Sequence, residues 1–317
     1  MARVSDIASG PFLRNGPITF VEQRFSTLSF QLIRSIEMIR RFVLALALLS
    51  SAAPVLAQQR PLQTEDPETI GAGRVLVESG IDYDRDVFLP VSGLRGNLVT
   101  MPAFGVSLGV SSIAEIQFDW SMYQKLSITE QVPGAPLSRL LQLDGDTTDD
   151  FGDIRIGAKV KLLGETARRP AIGSWFSTRL PNAGNESGLG KDVQDFASAV
   201  TIGKTVQSVR VVANIGLLMI GKPTEAVSQD DLLIYSLSVA RAISPAAEVV
   251  GEFVGRANFA NIVTPGAEDR GLLRFGTRYT INGVRFDAGV LVGLTPRDPE
   301  FGLTGGFTWV FDAFNVP

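Results

Sequence analysis

From residue 73 onward the chain alternates apolar and polar positions with a period of two, most clearly in "GDIRIGAKVKLLG", Gly152–Gly164. There Asp153, Arg155, Lys159 and Lys161 interleave with Ile154, Ile156, Ala158, Val160 and Leu162. Successive side chains of a strand point to opposite faces, so this run is a strand with one charged and one apolar face. A soluble sandwich hides such an apolar face in a core, whereas a membrane barrel turns it to lipid and keeps the charges inside. Twelve runs of this kind occur, near residues 73–84, 96–110, 113–126, 151–164, 170–181, 192–204, 207–221, 231–243, 246–257, 270–281, 284–294 and 300–311. In the third, Glu115, Gln117, Asp119 and Ser121 oppose Ala114, Ile116, Phe118, Trp120 and Met122. In the last, Phe301, Leu303, Phe307, Trp309 and Phe311 oppose Gly302, Thr304, Gly306 and Thr308. No stretch of this region longer than a turn sustains helical periodicity.

The connections choose between the two architectures. The gaps after even-numbered runs are brief, and Asn282-Gly283 is a strong signal for a two-residue hairpin turn. Gaps after odd-numbered runs are longer: Arg85–Arg95, Ser127–Asp150, Asn182–Lys191, Lys222–Asp230 and Asn258–Asp269. Short turns at one rim and long loops at the other belong to outer-membrane barrels. The runs suit tilted spanning strands of roughly 9–11 residues better than sandwich strands of about five or six. Closure also leaves no backbone group unpaired in hydrocarbon. The sequence therefore predicts an all-β fold, a closed antiparallel up-and-down transmembrane β-barrel of about twelve strands, with the isoleucines of the opening run facing lipid.

The same alternation assigns the lumen. Predicted pore-lining side chains are Glu115 and Asp119, then Asp153, Arg155, Lys159 and Lys161, then Arg179 and Arg210. Glu248, Glu252, Arg274, Arg278, Arg285 and Asp287 follow on later strands, with Asp82 and Arg256 facing the same way. Such charges either form rings that select ions in a water-filled pore or pair across the interior and fill it. Aromatics toward run ends (Tyr83, Trp120, Tyr123, Trp175, Phe176, Tyr235, Phe253, Tyr279, Trp309) are expected in interfacial girdles.

The front of the chain sets the compartment. Arg40 and Arg41 precede the apolar run Phe42–Leu49, and Val55-Leu56-Ala57 offers a cleavage site, so residues 38–57 read as a signal peptide. That apolar run is far shorter than the roughly 20 residues of a spanning helix. Residues 1–37 read as a start assigned too early, with Met38 the true initiator, and 58–317 as the barrel, exported to the outer membrane of a Gram-negative-type bacterium. Six of the 29 basic and three of the 33 acidic residues lie in 1–57, leaving 23 against 30. An acidic remainder argues against nucleic acid as a partner. Cysteine is absent, so no disulfide holds the fold, and histidine is absent too, which removes the commonest general base and metal ligand.

No cofactor is implied. "GVSLG", Gly105–Gly109, fits a nucleophile-elbow pattern but lacks the strand-to-helix turn and a histidine. "NESGLGKD", Asn185–Asp192, approaches a phosphate-binding loop, yet Asn185 and Asp192 stand where glycine and Ser/Thr are required. "DGDTTDDFGD", Asp144–Asp153, reads as a solvated acidic loop without EF-hand spacing, with calcium bridging as the alternative.

Through "DDFGDIRIGAKVKLLGE", "RPAIGSWFSTRLPNAG" and "VRVVANIGLLMIG" the chain resembles a bacterial outer-membrane family known as transporters of the meta-cleavage pathway of phenol degradation, over roughly residues 68–317. Gly152, Asp153, Lys159, Leu180, Pro181, Asn214 and Gly216 match, while Asn182 replaces the usual Thr and Val160 an expected aromatic. The resemblance implies uptake of hydrophobic or aromatic molecules. Together these readings predict a passive channel or uptake route for small molecules, not an enzyme. Its partners would be outer-membrane lipid and the barrel-assembly machinery, which would read the last strand at Phe307, Trp309 and Phe311. A structural or surface-interaction barrel and an outer-membrane lipid-modifying enzyme are the alternatives; the enzyme would need a nucleophile and base at the rim.

Overall fold

The computed structural model describes residues 60–223 and 229–316. The upstream extension and export signal expected over 1–57 lie outside the described residues. Among the described residues every regular element is a strand: β1 (Arg74–Leu89), β2 (Leu94–Gly109), β3 (Ala114–Ser121), β4 (Gln124–Gln131), β5 (Thr147–Asp150), β6 (Ile154–Leu163) and β7 (Ala171–Leu180). They continue with β8 (Asp195–Val206), β9 (Val209–Gly221), β10 (Gln229–Ala242), β11 (Ala247–Ala257), β12 (Arg270–Ile281), β13 (Val284–Gly293) and β14 (Phe301–Asp312). Each pairs antiparallel with its neighbours, and β1 pairs with both β2 and β14, so the sheet closes on itself.

Fourteen segments make twelve staves. The two halves of β2 pair with β4 and β3 in turn, and β4–β5 and β3–β6 continue the ladder, so β3/β4 and β5/β6 are each one interrupted strand. The interruptions line up with Pro102, which has no N–H to give the ladder. At that level Met122 N donates to the Pro102 carbonyl (3.1 Å), and Gly152 N to the Ser121 carbonyl (2.7 Å). The result is a closed antiparallel barrel of twelve strands.

One expected loop is absent. Residues 85–95 are mostly ladder, because β1 runs to Leu89 and β2 resumes at Leu94 after a short turn. The sequence hid this: Asp86 adopts φ 55° beside a register shift between Asp84 and Val87, and that irregularity breaks the alternation that would have marked the strand. At the opposite rim Asn282 (φ 50°) and Gly283 (φ 82°) make the tight turn their sequence demands.

The outward face is apolar. Ile156, Ile202, Ile215, Leu217, Val239, Phe275, Val290 and Leu303 are all exposed. An aromatic row, Tyr279–Phe286–Phe307, crosses three strands near the Asn282-Gly283 turn, with Trp309 and Phe311 beside it at 4.3 Å between ring centroids. Toward the other rim Tyr83 meets Phe301, while Trp120 meets Phe151 and Tyr235 meets Phe253 nearer mid-strand. Trp175 departs from the girdle expectation: it shares the inward parity of Gly173, Ser177 and Arg179 and lines the lumen.

Candidate functional site

The lumen is divided by a part of the chain that carries no strand signal. Residues 60–70 enter the barrel before β1 begins, and nearly every inward charge on the lower strands meets them. The Glu252 carboxylate accepts hydrogen bonds from Gln63 N (2.7 Å), Thr64 N (2.8 Å) and Thr64 Oγ1 (2.7 Å). Asn214 grips the next residue from both sides, Oδ1 accepting from Glu65 N (2.9 Å) and Nδ2 donating to the Glu65 carbonyl (2.8 Å). Arg210 is paired with Asp66 and, at 3.0 Å, with Glu165 in the turn below. Lys161 reaches Glu68 at 3.1 Å, and Glu115 accepts from Ile70 N at 2.8 Å. At the far end Arg60 lies 3.6 Å from Asp287 and 3.4 Å from Asp82, while its carbonyl accepts from Arg278 Nε at 2.8 Å.

These contacts pair backbone and charged groups in a crowded interior, where an unpaired buried group carries a desolvation cost. Lys159 is almost fully enclosed, its ammonium 3.0 Å from Glu115 and 3.4 Å from Glu65 with the side chain 1% exposed. Glycine makes room for the segment: a Cβ on Gly276 would lie 2.7 Å from Pro61 Cγ. Glu248 pairs with Arg278 (3.5 Å) and Arg285 (3.7 Å) beside it.

Above the segment the lumen opens into a cavity of about 720 Å³. Arg60, Pro61 and Leu62 form its floor, while Leu89–Ser92, Gly188–Lys191 and Gly266 border it at the loop rim. One wall, from β9 to β12, is apolar: Leu218, Ile220, Ile234, Val254 and Leu272, with Trp175 nearby. The rest of the lining is mixed and carries many charges, with Arg155, Arg179, Lys191, Arg256, Arg270 and Arg274 against Glu78, Asp82, Asp119 and Asp195.

The predicted lumen residues therefore divide between two environments, with Asp153 apart from both. Glu115, Lys159, Lys161, Arg210, Glu252, Arg278 and Asp287 meet the inserted segment, and Glu248 and Arg285 lie in the same charged layer. Asp119, Arg155, Arg179 and Arg274 line the cavity, Arg274 also reaching the Pro61 carbonyl at 3.4 Å. Asp153 sits at a strand start, pairing with Arg179 and accepting from Asn182 N (2.9 Å) and Ala183 N (3.0 Å). Glu78, inward and facing Gly105, was missed because β1 mixes its faces near Gly80. The segment left one trace in the sequence: predicted lumen cations outnumber anions, and Glu65, Asp66 and Glu68, offset by Arg60, make up the difference.

Outside the membrane-spanning strands, Lys191 is pushed down to about 8, by burial first and by the neighbouring Arg179 second, against the pull of Asp195 at 2.9 Å. In the acidic stretch, Asp150 accepts from Gly184 N at 2.8 Å, so two of its carboxylates, Asp150 and Asp153, tie down the loop after β7. Among the described residues no group of three or more His, Cys, Asp or Glu gathers to hold a metal ion.

No protein-family model matches the chain, and no curated protein matches it by sequence. Solved structures do. The COG4313 outer membrane channel from Pseudomonas putida F1 superposes with a TM-score of 0.57 at 12% identity, covering 79% of this chain and all of that one. The NanC porin (TM-score 0.43, 8% identity, 76% of this chain and 99% of that one) and the Pseudomonas putida toluene transporter TodX (0.40, 13%, 84% and 95%) superpose more loosely. The first likeness establishes the fold, a barrel of the kind outer-membrane channels adopt.

Proposed function

We propose that the protein is a passive outer-membrane route for small molecules with an apolar body, in line with the resemblance to the phenol-degradation transporters, and that it is not an enzyme. The observation that carries this reading is the cavity of about 720 Å³, to which Leu218, Ile220, Ile234, Val254 and Leu272 give apolar surface inside a barrel. Its size falls within the roughly 300–1,000 Å³ of small-molecule sites. The outward face, apolar with aromatic rows toward both rims, supports placement in a bilayer.

Acid–base catalysis would need a nucleophile beside a base at the rim, and the sequence has neither histidine nor cysteine to serve. Reconstitution into planar bilayers and into liposomes tests the proposal. It expects a small, steady conductance and faster entry of toluene-sized apolar solutes than protein-free liposomes allow. Silence in both assays rejects a channel and leaves a structural or surface-interaction barrel.

A further inference from the structure

The apolar wall explains the body of a solute but not the cations that border it. In the β11–β12 ladder Arg256 stands directly opposite Arg270, and in β6–β7 Arg155 stands opposite Arg179. Like charges facing each other across a ladder destabilise a sheet unless something neutralises them. Asp153 and Asp195 neutralise Arg179. Asp119 stands opposite Arg155 across the β3–β6 ladder. Arg256 and Arg270 have no such partner: among the described residues no carboxylate comes within ion-pair distance of either. Glu268 and Asp298 act on the β11–β12 pair only from further away.

The hydrogen bonds of this pair go to neutral groups. Arg256 donates to the carbonyls of Glu268 (3.0 Å) and Gly266 (2.9 Å), and Arg270 to that of Phe88 (3.2 Å). Arg270 Nε is buried without a hydrogen-bond partner, as is Arg274 Nε two inward positions below, which has only Glu252 at 3.7 Å. Leu272 and Val254, inward on the same two strands, place apolar surface directly beside the guanidiniums. Two further acids of the cavity, Glu78 and Asp119, stand on β1 and β3, toward the other side of the ring from Arg256 and Arg270, where they face a tight gap with Gln117 and Lys159.

From this arrangement we propose that the cavity binds amphipathic anions: an apolar body against Leu218, Ile234, Val254 and Leu272, and a carboxylate, or another oxyanion of like geometry, on Arg256 and Arg270. Guanidinium donors suit planar two-oxygen acceptors, and burial strengthens such bonds. The proposal deepens the channel reading and rests on it.

The test uses three probes of one shape: 4-phenylbutyrate, 4-phenylbutanol and 4-phenylbutylamine. Binding to the purified protein in detergent is followed by calorimetry and by Trp175 fluorescence. The acid should bind at least about tenfold tighter than the alcohol, the scale of one or two charge-assisted hydrogen bonds. Arg256→Gln combined with Arg270→Gln should remove that advantage and leave the alcohol unchanged. Arg256→Lys with Arg270→Lys should restore part of it, and the heat-dependent gel mobility of the barrel shows that each variant is folded. Equal binding of acid and alcohol, or undiminished binding of the acid by the folded Gln variant, overturns the anion proposal and leaves the channel reading standing. Exclusion of all three probes from proteoliposomes overturns the channel reading, and the inference falls with it.

Discussion

At the scale of single residues, the interior is an exercise in matching charges where water is scarce. Lys159 is held between Glu115 and Glu65, so its removal strands two carboxylates. Breaking one partner of a buried ion pair costs about 3–5 kcal/mol, more than the intact pair is worth, because the remaining charge has no solvent. Lys159→Met should therefore sharply lower the temperature at which the folded gel band is lost, and adding Glu115→Gln should recover part of that loss. A single variant as stable as the parent would show that the site is hydrated. Lys191 works the other way. With its folded pKa near 8 and an unfolded value of about 10.4, the unfolded chain binds more protons between those limits, so stability should rise with pH across that window. The cavity mouth also loses one positive charge between about pH 7 and 9, so anion preference in reversal-potential measurements should fall over that interval. Lys191→Met should flatten both profiles; an unaltered slope would assign the titration elsewhere.

At the scale of elements, the staves were legible because a strand with two unlike faces writes its period into the sequence, as β6 and β14 do. The inserted segment was not legible, because residues 60–70 have no period and make their bonds to residues distant in sequence, Asp66 to Arg210 and Thr64 to Glu252. Its supports were visible without their purpose. Lys159 and Asn214, matched in the resemblance to the phenol-degradation transporters, both hold Glu65. The extended hairpin β1–β2 was lost to the irregularity around Asp86, and Trp175 was misplaced because nearness to a strand end says nothing about which face a side chain occupies. The segment's position predicts its effect on current. Deleting residues 60–67 should raise single-channel conductance several-fold while the folded gel band persists, since the ladders close without those residues. Unchanged conductance in a folded deletion variant would mean that ions pass elsewhere.

At the scale of the whole molecule, one orientation rule governs both faces: charges that pair inside require apolar side chains outside, and those side chains need a solvent. Closure removes the sheet edges that hydrocarbon would not tolerate, but closed barrels also exist in water, so the closed ring alone does not decide what surrounds it. The middle of the outward face does. Ile215 lies near the centre of β9, points away from the lumen and is 57% exposed, with Leu217 and Tyr235 around it. In a bilayer that position meets acyl chains, where an arginine costs about 2–4 kcal/mol, falling toward zero near the interfaces. Ile215→Arg should therefore lower the equilibrium stability measured by refolding into lipid vesicles by about that amount. The same change at Val211, four residues nearer the rim on the same face, should cost much less. If the two arginines cost the same small amount, the outward face meets water, and the channel reading fails with the membrane it needs.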